Sequence, residues 1–248
     1  MRKSRIPQAL KIRQRLWLLP FFLTAPAAQA ATVAIDVGHG NTAPNQGVIS
    51  ARGVPEFAFN LALARTLDAA LRADGHATRL IADDGLTEDL VSRPRRAREA
   101  KADLFVSVHH DAAKERLQEE WQFEGRIQKA LDDRFRGFSV FVSRENPEWR
   151  RALKCASAIG ARLIAAGFTP SLYHADPVLG EGREFADRKN GVHYYDHLAV
   201  LRHAAMPALL LEAGVILNRD EELMMARDDT RARIAGAVRD AIPACIVR

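Results

Sequence analysis

The sequence predicts a single α/β domain, a twisted and mainly parallel sheet of about six strands with helices on both faces. Three observations carry this expectation. Beyond residue 30, short apolar runs rich in β-branched residues alternate with longer segments whose apolar positions recur at helical spacing. Strands interleaved with such helices need crossover connections, which make neighbouring strands parallel and cover both faces of the sheet. The 218 residues after position 30 also suit one domain with a full-sized core, and no repeat, low-complexity tract or linker divides them.

Each element follows from local pattern. Thr32–Val37 is apolar and β-branched and stops at Gly38, a strand. From Glu56 to Ala73 the residues Phe57, Leu61, Ala64, Leu67 and Leu71 mark one helical face. Ala77–Ala82 reads as a strand and Leu86–Ala100 as an arginine-crowded helix that starts or kinks at Pro94. Leu104–Val108 and Phe138–Val142 are further strands, and Pro147–Ala166 is a helix ended by Gly167. The apolar strand Ala208–Leu211 follows Met206 and Pro207, and Asp220–Ala226 and Thr230–Ala241 close the chain as helices. Residues 112–136 break the rhythm as a charged insertion around Trp121, leaving the sheet directly after His109. It is expected either as a solvated loop anchored by Trp121 or as a cover of the neighbouring groove, with Glu119, Glu120 or Glu124 able to reach into it.

Residues 1–30 read as a cleaved signal peptide rather than part of the fold. Arg2, Lys3, Arg5, Lys11, Arg13 and Arg15 precede the mostly apolar run Leu16–Ala28, and Ala28-Gln29-Ala30 offers small residues where a signal peptidase cuts. The run is too short for a membrane span and is interrupted by Pro20 and Pro26. The leader has neither a cysteine for lipid attachment nor an Arg-Arg pair. The expectation is an exported, periplasmic protein cut after Ala30, without a stable membrane anchor. The full chain has 36 basic and 31 acidic residues, net +5, but six basic residues and no acid lie in the leader. The remainder carries 30 against 31, net −1, so the basic balance is no argument for nucleic-acid binding. Cys155 and Cys245 are read as isolated thiols, one in a helix and one in the tail, although an oxidising compartment permits their pairing.

Four chemistry-bearing residues fall where an α/β sheet gathers ligands, beyond the carboxyl ends of its strands. His39 follows the first strand between Gly38 and Gly40, His109 follows Leu104–Val108, Glu56 opens the first helix, and Glu212 ends Ala208–Leu211. Two imidazoles and one carboxylate with a position left open form the ligand set of a catalytic zinc site. Glu212, set in an apolar run, is the candidate base; the ordinary alternative is a structural pair with an arginine such as Arg202. His110 is expected to point away from His109, supporting the site or exposed to solvent. Asp36 or Asp111 could orient a ligand imidazole, while His174, His193, His197 and His203 read as surface or hydrogen-bonded core residues, His193 and His197 being the two that could instead line a substrate groove.

These residues sit in motifs that resemble the zinc-dependent N-acetylmuramoyl-L-alanine amidases of type 3. The run Ile35-Asp36-Val37-Gly38-His39-Gly40, with Gly47-Val48-Ile49 and Gly53-Val54-Pro55-Glu56 through Asn60-Leu61, looks like the opening of that family. Ser107 to Ala112 resembles its second histidine motif, and Val200-Leu201-Arg202 through Pro207 to Gly214 and Asn218 its closing block. The resemblance implies one Zn2+ held by His39, Glu56 and His109, with Glu212 as catalytic glutamate. It further implies peptidoglycan as substrate, cut at the amide between N-acetylmuramic acid and L-alanine. His110 stands where relatives often carry a small residue, and 112–136 is longer than the usual link. The inhibitory helix of some cell-division members has no room after Phe138–Val142. A fold retained for cell-wall binding without turnover, and a zinc hydrolase of another cell-wall amide, are the competing readings.

Overall fold

The computed structural model describes residues 30–86, 89–132 and 134–246; the expected leader, apart from Ala30, lies outside them. Elements among these residues run in the order β1 (Thr32–Val37), α1 (Glu56–Ala73), β2 (Ala77–Ile81), α2 (Ser92–Glu99) and β3 (Leu104–Asp111). Next come β4 (Glu119–Phe123), β5 (Arg126–Ala130), β6 (Ser139–Val142), α3 (Trp149–Ala165), β7 (Phe185–Asp187) and β8 (Val192–Tyr194). The chain closes with α4 (Ala199–Arg202), β9 (Ala208–Val215), α5 (Arg219–Met225) and α6 (Asp228–Cys245).

The main sheet has seven strands in the order β2-β1-β3-β9-β6-β8-β7, one more than expected because the short β7 extends the β8 edge. β2, β1, β3 and β9 are mutually parallel, β6 runs antiparallel to β9, and β7 antiparallel to β8. The central pair β3 and β9 is buried at nearly every residue, as strands covered on both faces are. On one face Val33, Ile35, Val106, Val108, Leu209 and Leu211 pack with the buried sides of α1, α3 and α6. On the other, Phe105, Phe141, Leu201 and Leu210 form a smaller core with α2 and α4.

Helix ends follow local chemistry. Pro55 precedes α1, with Glu56 in the first turn where the macrodipole favours an acid. α3 ends where Gly167, at φ +88°, lets Gly167 N–H reach Ile164 O and Phe168 N–H reach Leu163 O. The Asn218 side chain caps α5 by accepting from the amides of Asp220 and Glu221.

Several expectations are corrected. α2 starts at Ser92 rather than Leu86, so Pro94 sits in its first turn where its missing N–H costs nothing. β3 continues through His109 and His110 to Asp111, and β9 through Glu212 to Val215. His109 and Glu212 are therefore inside strands rather than after them. Cys155 and Cys245 form a disulfide, because α6 runs past Ala241 and lies against α3. Within residues 112–136 an antiparallel hairpin of β4 and β5 takes the place of a loop, preceded by a 3-10 turn at Glu115–Leu117. No helix among the described residues is long and apolar enough to cross a membrane.

Candidate metal centre

The backbone brings His39, Glu56 and His109 together at the edge where β1 and β3 end. Their ligating atoms all lie within 4.8 Å of one another. Glu56 bridges the two imidazoles, Oε2 at 3.0 Å from His39 Nε2 and Oε1 at 3.1 Å from His109 Nδ1. Burial alone would raise its carboxyl, but hydrogen bonds and charge from His109 and His39 outweigh that and hold it far below the ordinary range. Two imidazoles and an ionised carboxylate converging on one point, with a cavity on the free side, fit a zinc ion.

Each candidate ligand is held by its surroundings. His39 has a left-handed backbone, φ 68°, which a residue other than glycine adopts only under constraint. The buried Arg93 on α2 supplies that constraint, donating to His39 O at 2.7 Å, to Val37 O at 2.6 Å and to Asp36 Oδ1 at 2.9 Å. Glycine is required at two places. A Cβ on Gly38 would lie 2.3 Å from the His109 ring, and one on Gly47 would lie 2.4 Å from Glu56 Oε2. Glu56 also accepts from the Val48 amide at 3.2 Å, the His110 amide at 3.3 Å and Asn60 Nδ2 at 3.0 Å.

Glu212 faces the same cavity, a space of about 510 Å³ also lined by His39, Glu56, His109 and Arg93. Strand register explains this: His109 and Glu212 are direct partners across the parallel pair β3 and β9, so their side chains leave the same face. Part of Glu212 borders the open cavity, while its Oε2 is enclosed without a hydrogen-bond partner. Burial, then the charges of Asp111 and Glu56, raises its carboxyl well above the ordinary range. Arg202 does not pair with it and instead lies 3.7 Å from Glu145.

Other expected roles are reassigned. Neither Asp36 nor Asp111 orients a ligand imidazole. Asp36 is taken by Arg93 and by the Ser107 hydroxyl at 2.7 Å, and Asp111 accepts from the Tyr173 hydroxyl and from His174 Nε2 at 2.7 Å. His110 does point away from His109, but it is buried, with Nδ1 2.8 Å from Asn60 Oδ1, and burial lowers it to about 4. His193 is fully buried and His197 sits on the surface beside Glu145 at 3.0 Å; neither lines the cavity. Glu119, Glu120 and Glu124 do not line it either.

Arg93, Asn60 and His174 are supporting residues whose roles the sequence concealed. Burial works against charge on His174, but Asp111 and Glu181, 2.7 and 2.9 Å away, hold it protonated up to about 9.

The chain resembles known proteins along most of its length. The probable N-acetylmuramoyl-L-alanine amidase AmiB of Haemophilus influenzae is 28% identical over 238 residues, covering 84% of this chain and 50% of that protein. The endolysin of Bacillus phage SPP1 is 26% identical over 195 residues, covering 78% of this chain and 58% of the endolysin. The chain thus spans about half the length of these curated relatives. The crystal structure of the N-acetylmuramyl-L-alanine amidase Ami1 from Mycobacterium smegmatis superposes with a TM-score of 0.68 at 21% identity, covering 88% of this chain and 98% of that one, which establishes the shared fold. The model of one family, N-acetylmuramoyl-L-alanine amidase, matches residues 33–244, nearly everything after the expected leader, and the chain belongs to that family.

Proposed function

We propose that this protein is an exported, zinc-dependent amidase that hydrolyses the bond between the lactyl group of N-acetylmuramic acid and L-alanine in peptidoglycan. The observation that carries the reading is the pairing of two features in one cavity. The nitrogen and carboxylate atoms of His39, Glu56 and His109 converge as a set that could hold a metal, and Glu212 presents a raised, partly enclosed carboxyl beside them. Zinc bound there supplies a Lewis acid that polarises the scissile carbonyl and makes water nucleophilic near neutral pH. Glu212 accepts the proton of the attacking water, whose oxygen bonds to the carbonyl carbon. As the C–N bond breaks, Glu212 returns that proton to the alanine nitrogen. A carboxyl raised by burial suits both halves of this exchange better than an ordinary one. His110 and Asn60 keep Glu56 in position from behind.

Export is supported by the Cys155–Cys245 disulfide, a bond that persists in oxidising compartments, and by the leader pattern of residues 1–30. The test is digestion of purified sacculi with and without a chelator, with products identified by mass spectrometry. Intact stem peptides released only without the chelator support the reading. Shortened peptides or deacetylated sugars overturn it in favour of another hydrolase, and no release at all in favour of a binding module. Glu212→Gln should keep stoichiometric zinc while kcat falls at least a hundredfold, the usual scale for loss of a general base; near-normal turnover would remove Glu212 from its role.

A further inference from the structure

We propose that the free edge of β5 is the subsite for the stem peptide, the part of the substrate that departs with L-alanine; this rests on the amidase reading above. A second cavity of about 470 Å³ adjoins the metal cavity, and Val48 and Ala112 line both. Its outer wall is β5, through Ile127, Gln128 and Lys129, and Glu115 also borders it. A chain leaving the metal past Val48 therefore meets β5 next.

The hairpin register shows what β5 offers. Its two-residue turn, Glu124 at φ 48° and Gly125 at φ 74°, closes on the pair Phe123 and Arg126. In such a hairpin the closing pair is hydrogen-bonded and the pattern alternates from there. Arg126, Gln128 and Ala130 thus bond to β4, while the N–H and C=O groups of Ile127 and Lys129 point away from it. Among the described residues β5 has no second neighbour in its sheet; the next outward amide, Leu131 N–H, is taken by Leu217 O at 2.8 Å, so the groups of Ile127 and Lys129 form the open ladder. An extended peptide can add to such an edge by main-chain hydrogen bonds.

The edge is held firmly relative to the metal ligands. Trp121 Nε1 donates to Ala51 O at 2.7 Å, and the Arg52 guanidinium lies 5.4 Å from the centre of the Trp121 ring. Arg52 is pinned in turn to the buried Glu222 at 2.7 Å, and the same loop continues into Glu56. Ile127 is 72% exposed on an edge with neither proline nor bulge, an arrangement that invites pairing. The chemistry of the walls favours peptide over glycan. None of the described residues lining this cavity is aromatic, so they offer a sugar ring no stacking surface. Lys129 and Glu115 instead present a cation and an anion, matching a stem that carries free carboxylates and the ammonium of a diamino acid. Lys129 is paired with Glu120 at 3.1 Å on the surface, a partner exchanged at little cost.

The test compares kcat/KM of the zinc-loaded enzyme for two soluble substrates, N-acetylmuramoyl-tetrapeptide and N-acetylmuramoyl-L-alanine. Ile127→Pro removes one outward N–H while sparing the ladder to β4, and Lys129→Ala removes the cation. Each should lower the ratio of full-stem to truncated kcat/KM about tenfold, through KM, the scale of one lost hydrogen bond or ion contact. A ratio equal to that of the unaltered enzyme in both variants overturns the proposal. Should Ile127→Pro fail to fold, the surface change Lys129→Ala decides by the same ratio. If the unaltered enzyme cleaves neither substrate, the amidase reading itself fails. Calorimetry with free tetrapeptide then decides the subsite: binding lost in the variants upholds it, and equal binding overturns it.

Discussion

Raising the pH from 6.5 to 9 should draw stability out of the buried cluster around His174. In the folded protein Asp111 and Glu181 keep this imidazole protonated up to about 9, against the opposing effect of burial. In the unfolded chain it titrates near 6.5. Below 6.5 both states carry the proton and the attraction is fully present. Between 6.5 and 9 the unfolded chain releases the proton while the folded protein retains it, so unfolding becomes progressively easier; above 9 the contribution is gone. The gap corresponds to at most about 3 kcal/mol, or roughly 6–12 °C in Tm for a domain of this size. His110 and His193, both lowered to about 4 chiefly by burial, are already neutral throughout this window in the folded state. The assay is thermal unfolding of chelator-treated protein at several pH values, for the natural chain and for His174→Gln. The variant should start lower and lose much less Tm across the window. Parallel slopes for the two proteins would refute the argument, because the titrating group would then lie elsewhere.

Other outcomes follow from the same geometry. Arg93→Met leaves Asp36 buried without its partner, at a cost of about 3–5 kcal/mol. It also frees the His39 carbonyl, so zinc affinity in a chelator competition should fall about 10–100-fold; unchanged affinity would mean the clamp is not needed. Asp111→Asn removes a charge that raises Glu212, so the acid limb of kcat/KM, where the base takes up its proton, should move to lower pH. A limb that stays in place separates Asp111 from the base. Replacing both Cys155 and Cys245 by alanine opens a link between residues 90 apart in sequence, and denaturant titration should register a loss of about 4–5 kcal/mol. Coincident unfolding midpoints would show that helix packing suffices without the bond.

The parts legible in sequence were those written in local pattern. The period of apolar residues gave α1 its limits and marked β1 and β3 as covered strands, because burial on one or two faces leaves a repeat that neighbours cannot disguise. His39, Glu56, His109 and Glu212 stood out because polar groups interrupt those patterns, and the structure brings all four to one cavity. What escaped depends on distant chain segments meeting. Arg93 looked like one more arginine on a solvated helix, yet it fills a gap behind β1 that only the packed α2 creates. His174 lay in an irregular stretch, where nothing local shows that Asp111 will be its neighbour. The disulfide escapes local pattern for the same reason, since contact between α3 and α6 is a property of the layer they share. The hairpin at 119–130 was hidden by its charge, because a two-stranded ribbon with one exposed face shows little apolar alternation.

The partnership of His109 with Glu212 across adjacent strands separates two evolutionary freedoms. All three candidate ligands arise within the first half of the chain, and the candidate base comes from a strand zipped directly alongside. The segment between Ala112 and Phe138 leaves the sheet after β3 and returns to it at β6, so the length of its hairpin can drift without altering the pairing of His109 with Glu212. A lineage could therefore rebuild the surroundings of the cleft, ribbon included, and select new substrates while inheriting the same four converging side chains.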